Sequence, residues 1–173
     1  MANVQAILRA STMIRNAQRP LIMIGGAGNR PRLVDELSNF VQRTGIPFFN
    51  TQMGKGAVTG CSDHYMGTAA LSERDYVHHA IDRADLIVSI GHDTIEKPPF
   101  LMGPDGPKVI HVGYTPATVE QVFQPHAEVV GDVAASLALL ADRLEGRLPK
   151  AGALLPLRQE ILARITDRAT EDR

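Results

Sequence analysis

The sequence predicts an α/β fold built on an open, mostly parallel sheet with helices on both faces, and three observations predict it. Short apolar runs alternate with amphipathic helical stripes along nearly the whole chain, and parallel strands need a covering helix at each crossover. One run, DLIVSIG (85–91), is apolar without a break, as a strand covered on both faces must be. Glycine-marked turns recur after the runs: GGAG (25–28), TQMGKG (51–56), YMGT (65–68), IGHD (90–93), HVGYTP (111–116) and VGD (130–132). All are expected beyond the carboxyl ends of the strands, where sheets of this kind bind ligands.

The elements follow in order. Val4, Ile7, Leu8 and Ile14 keep helical spacing, so an amphipathic helix opens the chain and ends near Gln18 and Pro20. LIMIG then reads as a short buried strand. Leu33, Val34, Leu37, Phe40 and Val41 form one helical stripe, closed by Gly45 and Pro47, and PFFN follows as a second strand, completing a βαβ unit. Tyr76, Val77, Ala80, Ile81 and Ala84 mark a helix that runs into DLIVSIG. After the Pro/Gly-rich loop GHDTIEKPPFLMGPDGP come the strands KVIHVG and EVVG. Asp132 is placed to cap the helix carrying Val133, Leu137, Leu140 and Leu144, because its side chain can accept from the unpaired first-turn N–H groups. EGRLPKAGALLP reads as a linker. Leu157, Ile161, Leu162 and Ile165 make a last amphipathic helix, expected to lack a partner within the chain. The expected divisions are a helix and connection over 1–19, a nucleotide-fold domain over 20–146, and a linker with a helix over 147–173.

Composition narrows the function classes. At 173 residues one domain is expected, and 44% hydrophobic with 21% charged residues is ordinary for a globular chain. No apolar run approaches the roughly 20 residues of a membrane span, and the N-terminus lacks the apolar block of a signal peptide, so neither a membrane nor export is expected and the cytoplasm is. Cys61 is alone, which excludes a disulfide framework and, with no Cys or His at ligand spacing, a zinc motif. A net charge of -1 with scattered Lys and Arg gives no reason to expect nucleic acid.

The first glycine turn is the candidate for chemistry, since glycine lets backbone N–H groups approach a phosphate. Against the dinucleotide fingerprint, Gly26 and Gly28 supply two glycines, but Pro31 stands where the third belongs. Pro31 suits the first turn of a helix instead, where its missing N–H costs nothing. No Asp or Glu occurs in GIPFFNTQMGKG, where a ribose-binding acid is due about 20 residues on, so an ordinary NAD dehydrogenase is not expected. GNRPRLV and GKGAV fail the Walker A spacing. The six histidines lack partners at ligand spacing and are expected at the surface. Ser89 lacks the preceding glycine of a nucleophile elbow, and Lys55 reads as a solvated loop cation.

In this order, RPLIMIGGAG, GIPFFNTQMGKGAV, DHYMGTAA, ADLIVSIGHD, KVIHVGYTPATV and AEVVGDVAASLALL resemble the central domain of thiamine diphosphate-dependent enzymes of the acetolactate synthase and pyruvate oxidase group. The resemblance covers nearly the whole chain. It implies a three-layer α/β fold with a six-stranded, mostly parallel, Rossmann-like sheet of the DHS-like NAD/FAD-binding type. It also implies a middle domain without catalytic residues, flanked in the same polypeptide by domains that hold thiamine diphosphate and Mg2+, in a homo-oligomeric parent that decarboxylates pyruvate and ligates it to a 2-oxo acid. Gly131-Asp132 is then no metal motif, because no asparagine follows Asn50 to complete it.

By the same resemblance a nucleotide would be held by Gly25, Gly26, Gly28, Thr51, Gln52, Gly67, Thr68, Gly91, His92 and Asp93. The chain departs from the FAD-binding members in two places. It lacks their arginine soon after the GH position, and it has His111-Val112-Gly113 where they carry Asp-Ile-Asp. GHDTIEKPP is closer to the GYDPIEY-like loop of acetolactate synthases that work without flavin, which leaves FAD, ADP or a vestigial site as alternatives. Two other classes stay open: a stand-alone FAD- or NAD-binding module, electron-transfer flavoprotein-like or deacylase-like, and an assembly domain joined through the final helix.

Overall fold

The computed structural model describes residues 2–58, 62–69, 76–93, 96, 105–117 and 124–171. Cys61 and most of the segment 94–104 lie outside them. Six strands form one sheet in the order β3-β2-β1-β4-β5-β6. They are β1 (Pro20–Ile24), β2 (Phe48–Thr51), β3 (Tyr65–Ala69), β4 (Leu86–Ile90), β5 (Lys108–Gly113) and β6 (Ala127–Val130). Every neighbouring pair is parallel. The helices are α1 (Val4–Asn16), α2 (Pro31–Thr44), α3 (His78–Arg83), α4 (Val133–Leu144) and α5 (Pro156–Glu171).

Side chains alternate across a strand, and here the alternation sorts the apolar residues into two cores. Ile22, Ile24, Phe48, Val88, Ile90, Ile110, Val112 and Val129 face one side, where α1, α2 and α4 cover them. Leu21, Met23, Phe49, Met66, Ile87 and Val109 face the other and meet Ala80 and Ile81 of α3 and Leu157 and Ile161 of α5. The result is three layers, helix over sheet over helix, as the sequence predicts.

The local signals act where expected at several points. Pro31 occupies the first turn of α2, and Asp132 Oδ1 accepts from the Ala135 N–H at 2.9 Å to cap α4. Arg43 of α2 lies against Glu145, just past the end of α4, and Asp142 within it, both at 2.8 Å, and these partners push its guanidinium pKa up. At the chain's other junction, Asp85 accepts from the Gln18 and Arg19 N–H groups (2.7 and 2.8 Å), fixing the entry into β1 beside β4.

Three expectations are corrected. YMGT is no turn but most of β3, an edge strand with a register shift where β2 passes from Phe48 to Phe49. The final helix has a partner after all: its Leu157 and Ile161 bury in the second core, and Arg158 Nε donates to the Tyr65 carbonyl at 3.0 Å. Val4 is 58% exposed and leaves the α1 stripe, whose buried residues are Ile7, Ala10, Ser11 and Ile14.

Candidate functional site

The chain winds outward from β1 to β3, then returns to β4, so β1 and β4 lie side by side while their connections leave in opposite directions. A crevice opens at such a point beyond the carboxyl ends of the strands. The glycine turns after β1, β2, β4 and β5 all reach this rim.

At the centre the turns after β1 and β4 press together. The Gly25 N–H donates to the Ile90 carbonyl (2.9 Å) and the Ala27 N–H to the Gly91 carbonyl (3.1 Å). A Cβ on Gly25 would lie 2.5 Å from His92 Cα, and Gly91 has φ +64° with Gly28 N 3.0 Å from where its Cβ would be. Glycine is therefore required by close backbone approach at Gly25, and by both approach and a left-handed conformation at Gly91.

Toward β5 the turns part and leave a cavity of about 250 Å³. Its walls include His92, Asp93, His111, Tyr114 and Thr115, and Arg30 stands at its edge with Cζ 4.2 Å from the centroid of the Tyr114 ring. His111 Nε2 lies 3.0 Å from the Thr115 carbonyl, whereas its Nδ1 is buried with no partner among the described residues. Burial pushes the His92 imidazole pKa below its usual 6.5, and the charge and main chain of Glu96 pull it only partly back. His92 and His111 are 5% and 4% exposed, which corrects the surface placement expected for the histidines. Their apolar neighbours on β4 and β5 carry them inward.

Toward β2 the described residues bond to one another across the rim. Glu96 lays its carboxylate between two donors: the Gly26 N–H (2.7 Å to Oε1) and the Thr51 hydroxyl (2.5 Å to Oε2). Gly54 packs under the same place, where a Cβ would lie 2.2 Å from the Ile24 carbonyl oxygen. Asn29 Nδ2 donates to the Met53 carbonyl at 2.6 Å and joins the β1 and β2 turns above it.

The ten residues proposed from sequence thus separate into groups. Gly25, Gly28, Gly91 and His92 come together at the centre, with Asp93 on the cavity wall. Gly26 and Thr51 meet through Glu96. Gln52 is exposed beside them. Gly67 and Thr68 sit on the edge strand: a Cβ on Gly67 would meet Val77 at 2.8 Å, and Thr68 Oγ1 bonds Asn50 Oδ1 at 2.7 Å, so both serve packing between β2, β3 and the segment leading into α3. Sequence reasoning missed Arg30, Tyr114 and Glu96 as site residues. It also missed that an acid does reach the end of β2, from the loop after β4. Among the described residues no three His, Cys, Asp or Glu side chains gather where they could hold a metal ion, and no helix is long and apolar enough to cross a membrane.

Residues 7–140 match the family model described as thiamine pyrophosphate enzyme, central domain. The acetolactate synthase of Bacillus subtilis (strain 168) is 26% identical over 134 residues, covering 76% of this chain and 24% of that protein. The acetolactate synthase large subunit of Pyropia yezoensis is 29% identical over 148 residues, 83% of this chain and 25% of its own length. The catabolic acetolactate synthase of Raoultella terrigena is 28% identical over 158 residues, with 89% and 28% covered. The chain therefore spans about a quarter of the length of these relatives. Among solved structures, a Mycobacterium smegmatis protein assigned to the thiamin diphosphate-dependent enzymes superposes with TM-score 0.68 at 19% identity, over 86% of this chain and 30% of that one, a likeness of fold.

Proposed function

This chain belongs to the central-domain family of thiamine pyrophosphate enzymes, and we propose that it is the non-catalytic middle domain of an acetolactate synthase-like carboligase. In this reading the parent decarboxylates pyruvate, releasing carbon dioxide, and joins the remaining two-carbon unit to the carbonyl carbon of a second 2-oxo acid. Thiamine diphosphate, held with Mg2+ by the flanking domains of the same polypeptide, supplies the carbanion-stabilising chemistry. Residues 1–19 and 147–173 carry the connections to those domains, while 20–146 form the scaffold, in a cytoplasmic homo-oligomer. The carrying observation is the family match over residues 7–140 by a chain that spans a quarter of its synthase relatives.

Within that scaffold the carboxyl rim reads as an adenine-nucleotide site. Its support is the β1/β4 crevice with Gly25, Gly28 and Gly91 at its centre and a cavity beside it lined by His92, His111 and Thr115. Arg30 supplies the cation for a phosphate. The space favours ADP over FAD: about 250 Å³ lies below the roughly 300–1,000 Å³ of common ligand pockets and takes part of a nucleotide, and Glu96 holds the β2 half where a longer dinucleotide would extend.

The test has two arms. The full-length parent given pyruvate, thiamine diphosphate and Mg2+ forms acetolactate, whereas the 173-residue chain under the same conditions forms none. Turnover by the isolated chain would overturn the scaffold role. In calorimetry the chain binds ADP more tightly than FAD, and Arg30→Ala weakens ADP several-fold. FAD bound as tightly as ADP contradicts the size argument.

A further inference from the structure

We infer that the Glu96 carboxylate occupies the anion subsite of this rim, so that a nucleotide phosphate reaches Gly26 and Thr51 only by displacing a side chain of the protein itself. The inference rests on the nucleotide reading of the rim and adds to it what limits binding there.

Of the four N–H groups in the first glycine turn, three are committed to the main chain: Gly25 to the Ile90 carbonyl, Ala27 to that of Gly91 and Gly28 to that of Gly25. The Gly26 N–H alone points at a side-chain anion. Thr51 adds a second donor from the end of β2, and its hydroxyl is fixed in turn, because it is 6% exposed and accepts from the Gly54 N–H at 3.2 Å. A backbone N–H and a buried hydroxyl converging from two strand ends are the donors a phosphate oxygen uses in such crevices. Here both end on one carboxylate.

Glu96 is held for this position. Its own N–H donates to the Asp93 carbonyl at 2.9 Å, which ties Glu96 to the residue that stands on the cavity wall after β4. The carboxylate also packs close over glycine: a Cβ on Gly26 would be 3.0 Å from Glu96 Oε1. An arriving phosphate finds its donors taken and meets like charge. The apparent affinity for a ligand that needs this subsite falls by the fraction of molecules in which the carboxylate is away. A ligand without phosphate escapes the penalty.

That difference supplies the experiment: calorimetric titration of the 173-residue chain and of Glu96→Gln with ADP and with adenosine. Glutamine keeps the shape and removes the charge, and Glu96→Ala serves as a second variant should Gln alter folding, which thermal melting of each protein checks. The expected result is ADP at least tenfold tighter in Glu96→Gln than in the native chain, with adenosine unchanged. Equal ADP affinity in both proteins overturns the inference while leaving the nucleotide reading intact. Weaker ADP binding in the variant overturns it by making Glu96 a ligand contact, and equal tightening of adenosine overturns it by making the effect a general loosening. If neither ligand binds any of the proteins, the inference falls together with the nucleotide reading.

Discussion

The two halves of the carboxyl rim are built from the same parts and end differently. On the β4–β5 side, glycine turns diverge and a cavity opens between His92, His111 and Tyr114. On the β1–β2 side, turns still richer in glycine pack onto the Ile24 carbonyl, the Asn29 side chain and the Glu96 carboxylate. Backbone pattern alone therefore does not make a pocket. Glycine permits close approach, and what then fills the approach, a ligand or the chain's own side chain, depends on residues far away in sequence.

Gly54→Ala should break the closed half most severely. Its Cβ would sit 2.2 Å from a backbone oxygen that belongs to a central strand and has nowhere to move, so about 3 kcal/mol of stability should be lost by urea denaturation. A loss under about 1 kcal/mol would show that the closed half yields easily. Thr51→Val should come next, at about 1–2 kcal/mol, because it strips one donor from a part-buried carboxylate. The cavity half should be untouched, which amide hydrogen exchange at Gly113 and Tyr114 can check.

On the open side Arg30→Ala removes a cation over an aromatic ring at an exposed position and should cost about 0.5–1 kcal/mol. The finest difference is one of pH. His92 faces Glu96 and Asp93, which favour its protonation, and His111, which opposes it, yet burial dominates and its folded pKa lies below the unfolded 6.5. Between those two values the unfolded chain binds more protons, so stability rises with pH through the window. The His92 contribution is complete above 6.5 and is lost as pH falls toward the folded value. His92→Gln should flatten this component in a series of urea melts. An unchanged slope would mean that His92 is not the group responsible.

The legible part of the fold was the part written in contiguous residues. Five strands announce themselves as apolar runs, and Pro31 and Asp132 act through neighbours within one helical turn. β3 escaped because Gly67 interrupts a half-buried edge strand and makes it read as a turn. The partner of α5 escaped for another reason: an apolar helix face states that something covers it and is silent on what. At the rim, Gly25, Gly28, Gly91 and His92 were named as candidates through the family resemblance, on the glycine turns GGAG and IGHD. Glu96 was not, since it lies 70 positions from Gly26 and 45 from Thr51 and no local pattern connects them. The buried histidines were misplaced because a lone His carries no periodic signal of its own, whether it lies within a strand, as His111 does in β5, or just past one, as His92 does after β4.

An ADP titration followed by 1H–15N amide spectra of the native chain and Glu96→Gln tests the two-halved nucleotide rim most directly. The account predicts shifts at Gly91, His92, Gly113 and Tyr114 in both proteins, joined by Gly26 and Thr51 only when Glu96 is neutralised. Shifts confined to the opposite rim, around Asn16, Asp85 and Lys108, or Gly26 and Thr51 responding as strongly in the native chain as in the variant, would contradict it.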